Sequence, residues 1–178
     1  MPMTMTADTI KPLTYLFADD GSIPNNPRLP ALIYRGVIDV KGIAEPEVVF
    51  ENTFTHNGWG DMWRNGVYRY PHYHSMIHEV MGIARGRVSV RFGGQQGEEF
   101  DFDAGDVVIL PAGTGHQGLW ASPELMVIGA YPPVGRFDLC RGSKAEHAKA
   151  VGAIPEVPRP ATDPIYGKSG PLMTLWRA

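Results

Sequence analysis

Four of the six histidines in this chain, His72, His74, His78 and His116, lie close together in the sequence. Residues two apart in extended backbone point to the same side, so His72 and His74 can aim at one point. Glu79 lies five residues beyond His74, an odd step that faces away in an unbroken strand. Ser75-Met76-Ile77 must therefore contain a turn or bulge if the carboxylate is to join the imidazoles. A slip of one residue would instead turn His78 inward and Glu79 out. His116 follows Pro111-Ala112-Gly113-Thr114-Gly115, a turn whose glycines can swing the next strand across the same cavity. Three imidazoles and one carboxylate converging from two hairpins suit one divalent transition metal, Fe, Mn, Ni or Zn, with the carboxylate offsetting part of its charge. Octahedral coordination by His72, His74, Glu79 and His116 leaves two adjacent positions for water, dioxygen or a chelating substrate, which a closed structural zinc site would not.

The same alternation names the walls of the cavity. Counting back from His72 puts Tyr70 and Tyr68 on the ligand side; counting on from Glu79 and His116 puts Met81, Ile83, Gly118 and Trp120 there. The pocket is thus expected to be apolar and aromatic. Tyr70 is the candidate catalytic proton donor, and Tyr68, Met81 and Trp120 are wall residues, with His78 behind the ligands or on the outer side. Trp59, Trp63 and Arg64 could cover the mouth, but a packing role is the expectation for them, and Cys140, with only Arg141 as a basic neighbour, is expected to be structural.

The elements that must position these groups are short strands. The 21 glycines and 16 prolines among 178 residues exceed ordinary usage, are scattered among apolar runs without a repeat, and point to many tight turns rather than long helices. Residues 79–92 read as two strands joined at Arg85-Gly86, and residues 107–111 as a strand buried on both faces. Residues 116–120 and 124–131 read as further strands, and residues 31–40 as one broken at Gly36. Residues 42–66 read as an irregular, partly buried loop, and residues 143–151 as the one convincing helix. The pattern predicts an all-β sandwich or jelly roll. Residues 1–12 are expected to be a flexible leader and 13–178 a single domain, with the metal-binding core at about 66–132 and a C-terminal wrapping segment at about 133–178.

Two stretches carry a family resemblance. Residues 66–86 resemble the first motif of the cupin superfamily at Gly66, His72, His74, Glu79 and Gly86, and residues 105–116 resemble the second at Gly105, Pro111, Gly113 and His116. The second motif commonly ends in Asn four residues after its histidine; here Trp120 stands at that position, a departure that bears on pocket shape more than on metal binding. From about Tyr15 to Trp176 the chain is similar to the YjlB-like group of bacterial cupins. The resemblance implies a single jelly-roll (double-stranded β-helix) barrel with N- and C-terminal extensions and a homodimer, and it fixes no reaction.

Composition excludes several partners. A net charge of −3 gives no basic surplus for nucleic acid or anionic lipid, and no apolar run approaches a membrane span. A single cysteine and no signal-peptide pattern make a cytoplasmic location the expectation. What remains is a small-molecule ligand. The expected function is a metal-dependent enzyme of oxygenase or isomerase/lyase type, with a non-catalytic metal-containing carrier or sensor as the alternative.

Overall fold

The computed structural model describes residues 8–177, in which nine strands form two antiparallel sheets. They are β1 (Leu13–Tyr15), β2 (Ala31–Tyr34), β3 (Gly60–Asn65), β4 (Glu79–Arg85), β5 (Arg87–Phe92), β6 (Glu98–Asp103), β7 (Val107–Leu110), β8 (His116–Ala121) and β9 (Met126–Tyr131). One sheet runs in the order β1-β2-β7-β4-β9-β3 and the other in the order β6-β5-β8. Helices α1 (Pro46–His56), α2 (Lys144–Ala153) and α3 (Pro171–Leu175) complete the chain. The leader expected at residues 1–12 lies outside the described residues over 1–7; residues 8–12 are neither helix nor strand. No helix among the described residues is long and apolar enough to cross a membrane.

Alternation in the six-stranded sheet separates two cores. Ala31, Ile33, Met81, Ile83, Val108 and Leu110 point toward the three-stranded sheet, where they meet Val88, Val90, Phe92, Phe100 and Phe102. Their neighbours Leu32, Tyr34, Val80, Val107, Ile109 and Ile128 point the other way, against Phe50, Phe54, Trp59, Leu172 and Trp176. The larger sheet is therefore a middle layer covered on both faces, which is why β7 is an unbroken apolar run. Two stacked antiparallel sheets with this strand order make the jelly roll expected from the sequence.

Three expectations need correction. Residues 42–66 are not an irregular loop but α1 followed by β3. Helix α1 opens on Pro46 at its first position with Glu47 in its first turn, and it buries Phe50 and Phe54, one turn apart, against the sheet. Val48, Val49, Thr53 and Thr55 are weak helix formers, so burial of that phenylalanine stripe outweighs local propensity. The helix at residues 143–151 is present, as α2, with Ser143 and Glu146 forming a reciprocal capping box, but it is not alone. The strand expected over residues 31–40 ends at Tyr34.

The C-terminal segment is tied down by one buried carboxylate. Asp163 accepts hydrogen bonds from the Tyr34 hydroxyl at 2.6 Å and from the backbone N–H groups of Ile165, Tyr166 and Leu172. Trp176 is buried below it and donates through Nε1 to the Pro30 carbonyl at 2.8 Å.

Candidate metal centre

His72 and His74 sit on a short extended segment stitched on both sides. The His72 and His116 backbones exchange hydrogen bonds at 3.1 and 2.9 Å, and those of Tyr73 and Cys140 do so at 3.0 and 2.9 Å. Extended backbone held in this way puts the two imidazoles on one side and sends Tyr73 into a separate small core. The bend that Glu79 requires is present at Ser75-Met76, and Asp138 holds it. The Asp138 carboxylate accepts from the N–H groups of Ser75 and Met76 at 2.8 and 3.2 Å and from the Ser75 hydroxyl at 2.5 Å. His116 is delivered by the turn at Gly113, whose φ of +95° and the Asn25 carbonyl packed against it leave no room for a side chain.

All three imidazoles are oriented alike. The Nδ1 atoms of His72, His74 and His116 lie 3.0, 2.5 and 3.0 Å from the carbonyl oxygens of Tyr70, Asp138 and Thr114. A carbonyl can only accept, so each Nδ1 carries a hydrogen and Nε2 is the atom each ring offers to a ligand. Ligand nitrogens of the three rings fall within 4.8 Å of one another. Glu79 stands beside them, its oxygens 3.6 Å from His74 Nε2 and 3.4 Å from His116 Nε2. Glu79 Oε1 and His116 Nε2 are buried with no hydrogen-bond partner. Native proteins rarely leave such atoms unpaired, and a cation satisfies a lone pair and a carboxylate together. The donor set therefore fits one divalent transition metal.

The electrostatics follow from burial and these contacts. Burial, reinforced by His116, pushes the His72 imidazolium down to about 3. Burial opposes both members of the Glu79–His74 pair, yet their mutual attraction prevails: the carboxyl is held well below its ordinary range and His74 is raised.

These groups line a cavity of about 260 Å³ together with Trp63, Asn65, Val67, Tyr68, Met81, Tyr131 and Phe137. Tyr68 and Met81 are among its walls; Trp120 and Tyr70 are not, and His78 is on the outer side. Trp120 is 54% exposed on the outer surface. Ser89 pairs with Trp120 while Val90 pairs with Gly118, so Leu119 is an extra residue on β8 that reverses the alternation between His116 and Trp120. Tyr70 does not line the cavity; its ring lies stacked against Tyr68 at 4.9 Å, with the Arg141 guanidinium over it at 3.5 Å. His78 is fully buried on the opposite face of the sheet, where its Nδ1 accepts from Ala112 N–H and its Nε2 donates to the Pro158 carbonyl.

Two wall residues carried no signal in the sequence. Tyr131 closes β9, and its hydroxyl accepts from Trp63 Nε1 at 3.1 Å; burial and the nearby Glu79 charge raise it far above the ordinary phenol value. Phe137 leans on His74 and Tyr131 from the loop after β9. Trp63 itself lies flat over Gly129, where any side chain would collide with it.

A two-sheet jelly roll that gathers three imidazoles and a carboxylate from the two motif stretches is a cupin. No family model matches the chain. It is, however, 41% identical over 163 residues, 92% of its own length and 95% of the other's, to the Bacillus subtilis (strain 168) protein described as "Uncharacterized protein YjlB". The chain belongs to the YjlB family of cupins. Among solved structures it is similar to an acireductone dioxygenase from Bacillus anthracis with a cadmium ion in its active centre (14% identity, 57% of this chain and 76% of that one, TM-score 0.43). It is also similar to a DUF861 family protein from Thermotoga maritima (20% identity, 57% and 96%, TM-score 0.33). Likeness at that distance carries nothing about activity.

Proposed function

We propose that the chain is a metal-dependent enzyme acting on a small organic molecule, with one divalent transition metal held by His72, His74, Glu79 and His116. The observation that carries this reading is the shared orientation of the three rings: each Nδ1 is tied to a backbone carbonyl, which leaves each Nε2 free to ligate in a buried site. The bound metal would supply Lewis acidity toward a ligated oxygen and, as Fe(II), dioxygen chemistry. The protein's own part is to turn Nε2 of each ring toward the cavity, to hold Glu79 ionised, and to surround the guest with apolar walls that exclude water. The Tyr131 hydroxyl accepts from Trp63, so its own O–H is free to donate a hydrogen bond to Glu79 or to a guest's oxygen.

A carrier or sensor is the second reading. It is favoured by one feature of the cavity: among the described residues, its titratable groups apart from the metal-facing set are the phenols Tyr68 and Tyr131, and burial beside Glu79 keeps Tyr131 protonated. Metal analysis of protein from its native cell, followed by anaerobic Fe(II) addition and a turnover screen on ligands found by thermal shift, separates the cases. About one equivalent of metal with product formation is expected of the enzyme. Failure to hold or regain any metal defeats both readings, and binding without product across dicarbonyls, catechols and hydroxy acids favours the carrier.

A further inference from the structure

Resting on the metal reading above, the geometry points to the guest of this cavity: a small planar molecule with two adjacent oxygens and at most one negative charge, of the catechol or enediol class. Charge is the first argument. Among the described residues no lysine or arginine lines the cavity, and Glu79 is the one carboxylate that does. A divalent cation beside that carboxylate leaves one net positive charge, which a singly deprotonated chelator neutralises. A phosphoryl dianion would bring surplus charge into a buried space with no cation to meet it. Of the arginines near it, Arg64 pairs with Glu51, Arg69 donates to the Leu119 carbonyl at 3.0 Å, Arg141 covers Tyr70, and Arg136, next to Phe137, is exposed with its guanidinium 3.9 Å from the Met76 sulfur rather than on the cavity wall.

Shape is the second argument. Tyr68 and Phe137 line the cavity, yet they are 50% and 56% exposed, so a flat guest would cover aromatic surface now left to water. Both rings are braced. Tyr68 is stacked on Tyr70, nearly parallel at 14°, with Arg141 beyond it. Phe137 rests on His74 at 5.0 Å and Tyr131 at 5.7 Å. Rings already fixed lose little freedom on binding. A volume near 260 Å³ is below the usual range for ligand sites and suits a single ring.

The test uses the full chain loaded with Co(II), its metal content measured first, and titrated with 4-nitrocatechol and with 2-phosphoglycolate while the visible spectrum is followed. The expected result is that 4-nitrocatechol shifts the cobalt bands and binds at least about 100-fold more tightly than 2-phosphoglycolate. Phe137→Ala and Tyr68→Ala should each weaken nitrocatechol about tenfold with cobalt stoichiometry unchanged. Equal or tighter binding of phosphoglycolate, no binding of either probe to cobalt-loaded protein, or full nitrocatechol affinity in both variants overturns the proposal while leaving the metal reading intact. Protein that takes up no cobalt overturns the metal reading and this proposal with it.

Discussion

The two faces of the six-stranded sheet treat their buried polar groups in opposite ways. On the outer face His78 has both ring nitrogens bonded, Asp163 accepts four hydrogen bonds, and the indole N–H groups of Trp59 and Trp176 both reach carbonyls. On the inner face, Glu79 Oε1 and His116 Nε2 end in the cavity without a partner. The tautomers differ too: the ring hydrogen is on Nε2 in His78 and on Nδ1 in the three cavity histidines. Adjacent residues in sequence, His78 and Glu79, thus serve different ends. A buried histidine with both nitrogens satisfied is part of the scaffold; one with a bare Nε2 beside a carboxylate is poised for a ligand.

The contrast can be broken from either side. The largest effect is expected at Asp163, since Asp163→Ala strands the Tyr34 hydroxyl and three backbone N–H groups. It should cost about 3 kcal/mol or more in urea unfolding. A loss below about 1 kcal/mol would mean that the outer face does not depend on its polar network. Next come the histidines themselves. His78→Gln should lower stability by about 1–3 kcal/mol and leave cobalt uptake at wild-type stoichiometry. His116→Gln should do the reverse, abolishing tight cobalt uptake with little loss of metal-free stability. Cobalt loss in His78→Gln would erase the distinction between the faces.

A smaller change is expected where the faces are coupled. Asp138 touches no cavity ligand through its carboxylate, but it shapes the Ser75-Met76 bend and presents its own carbonyl to His74. Asp138→Ala should therefore weaken cobalt affinity about 10–100-fold and alter the visible spectrum of the bound ion. Unchanged affinity would show that the bend holds itself. The last prediction touches neither fold nor metal and concerns Cys140, whose thiol burial and the Asp138 carboxylate push up to about 11. The fold favours the protonated thiol, so its contribution is present below the free-cysteine value near ~8.5 and is lost as pH rises through about 11. At pH 8.5 native protein should react with iodoacetamide about 100-fold more slowly than urea-unfolded protein. Similar rates would mean that the thiol is not sequestered.

How far the sequence reaches is set by the distance over which its patterns hold. The strands of residues 79–92 and 107–131 were legible because alternation and glycine turns act locally. Helix α1 was not, because its reason is a tertiary contact: two phenylalanines that find the far side of the sheet. Within the site, the motif spacings were enough to suggest the convergence of His72, His74, Glu79 and His116. Parity failed at Trp120 because one unpaired residue, Leu119, resets it, and no residue type announces that bulge. Tyr70 shared the expected side with His72 but turned to brace Tyr68. Tyr131 and Phe137 enter from a strand end and a loop that no spacing rule links to the histidines.

The three cavity imidazoles are held by main-chain carbonyls, those of residues 70, 114 and 138, and every amino acid brings one. Substitutions at 70 and 114 can accumulate over evolutionary time without releasing the rings, provided the path of the chain survives. What orients the rings is the path of the backbone, so a change of side chain at 70 or 114 leaves the carbonyls that hold them in place.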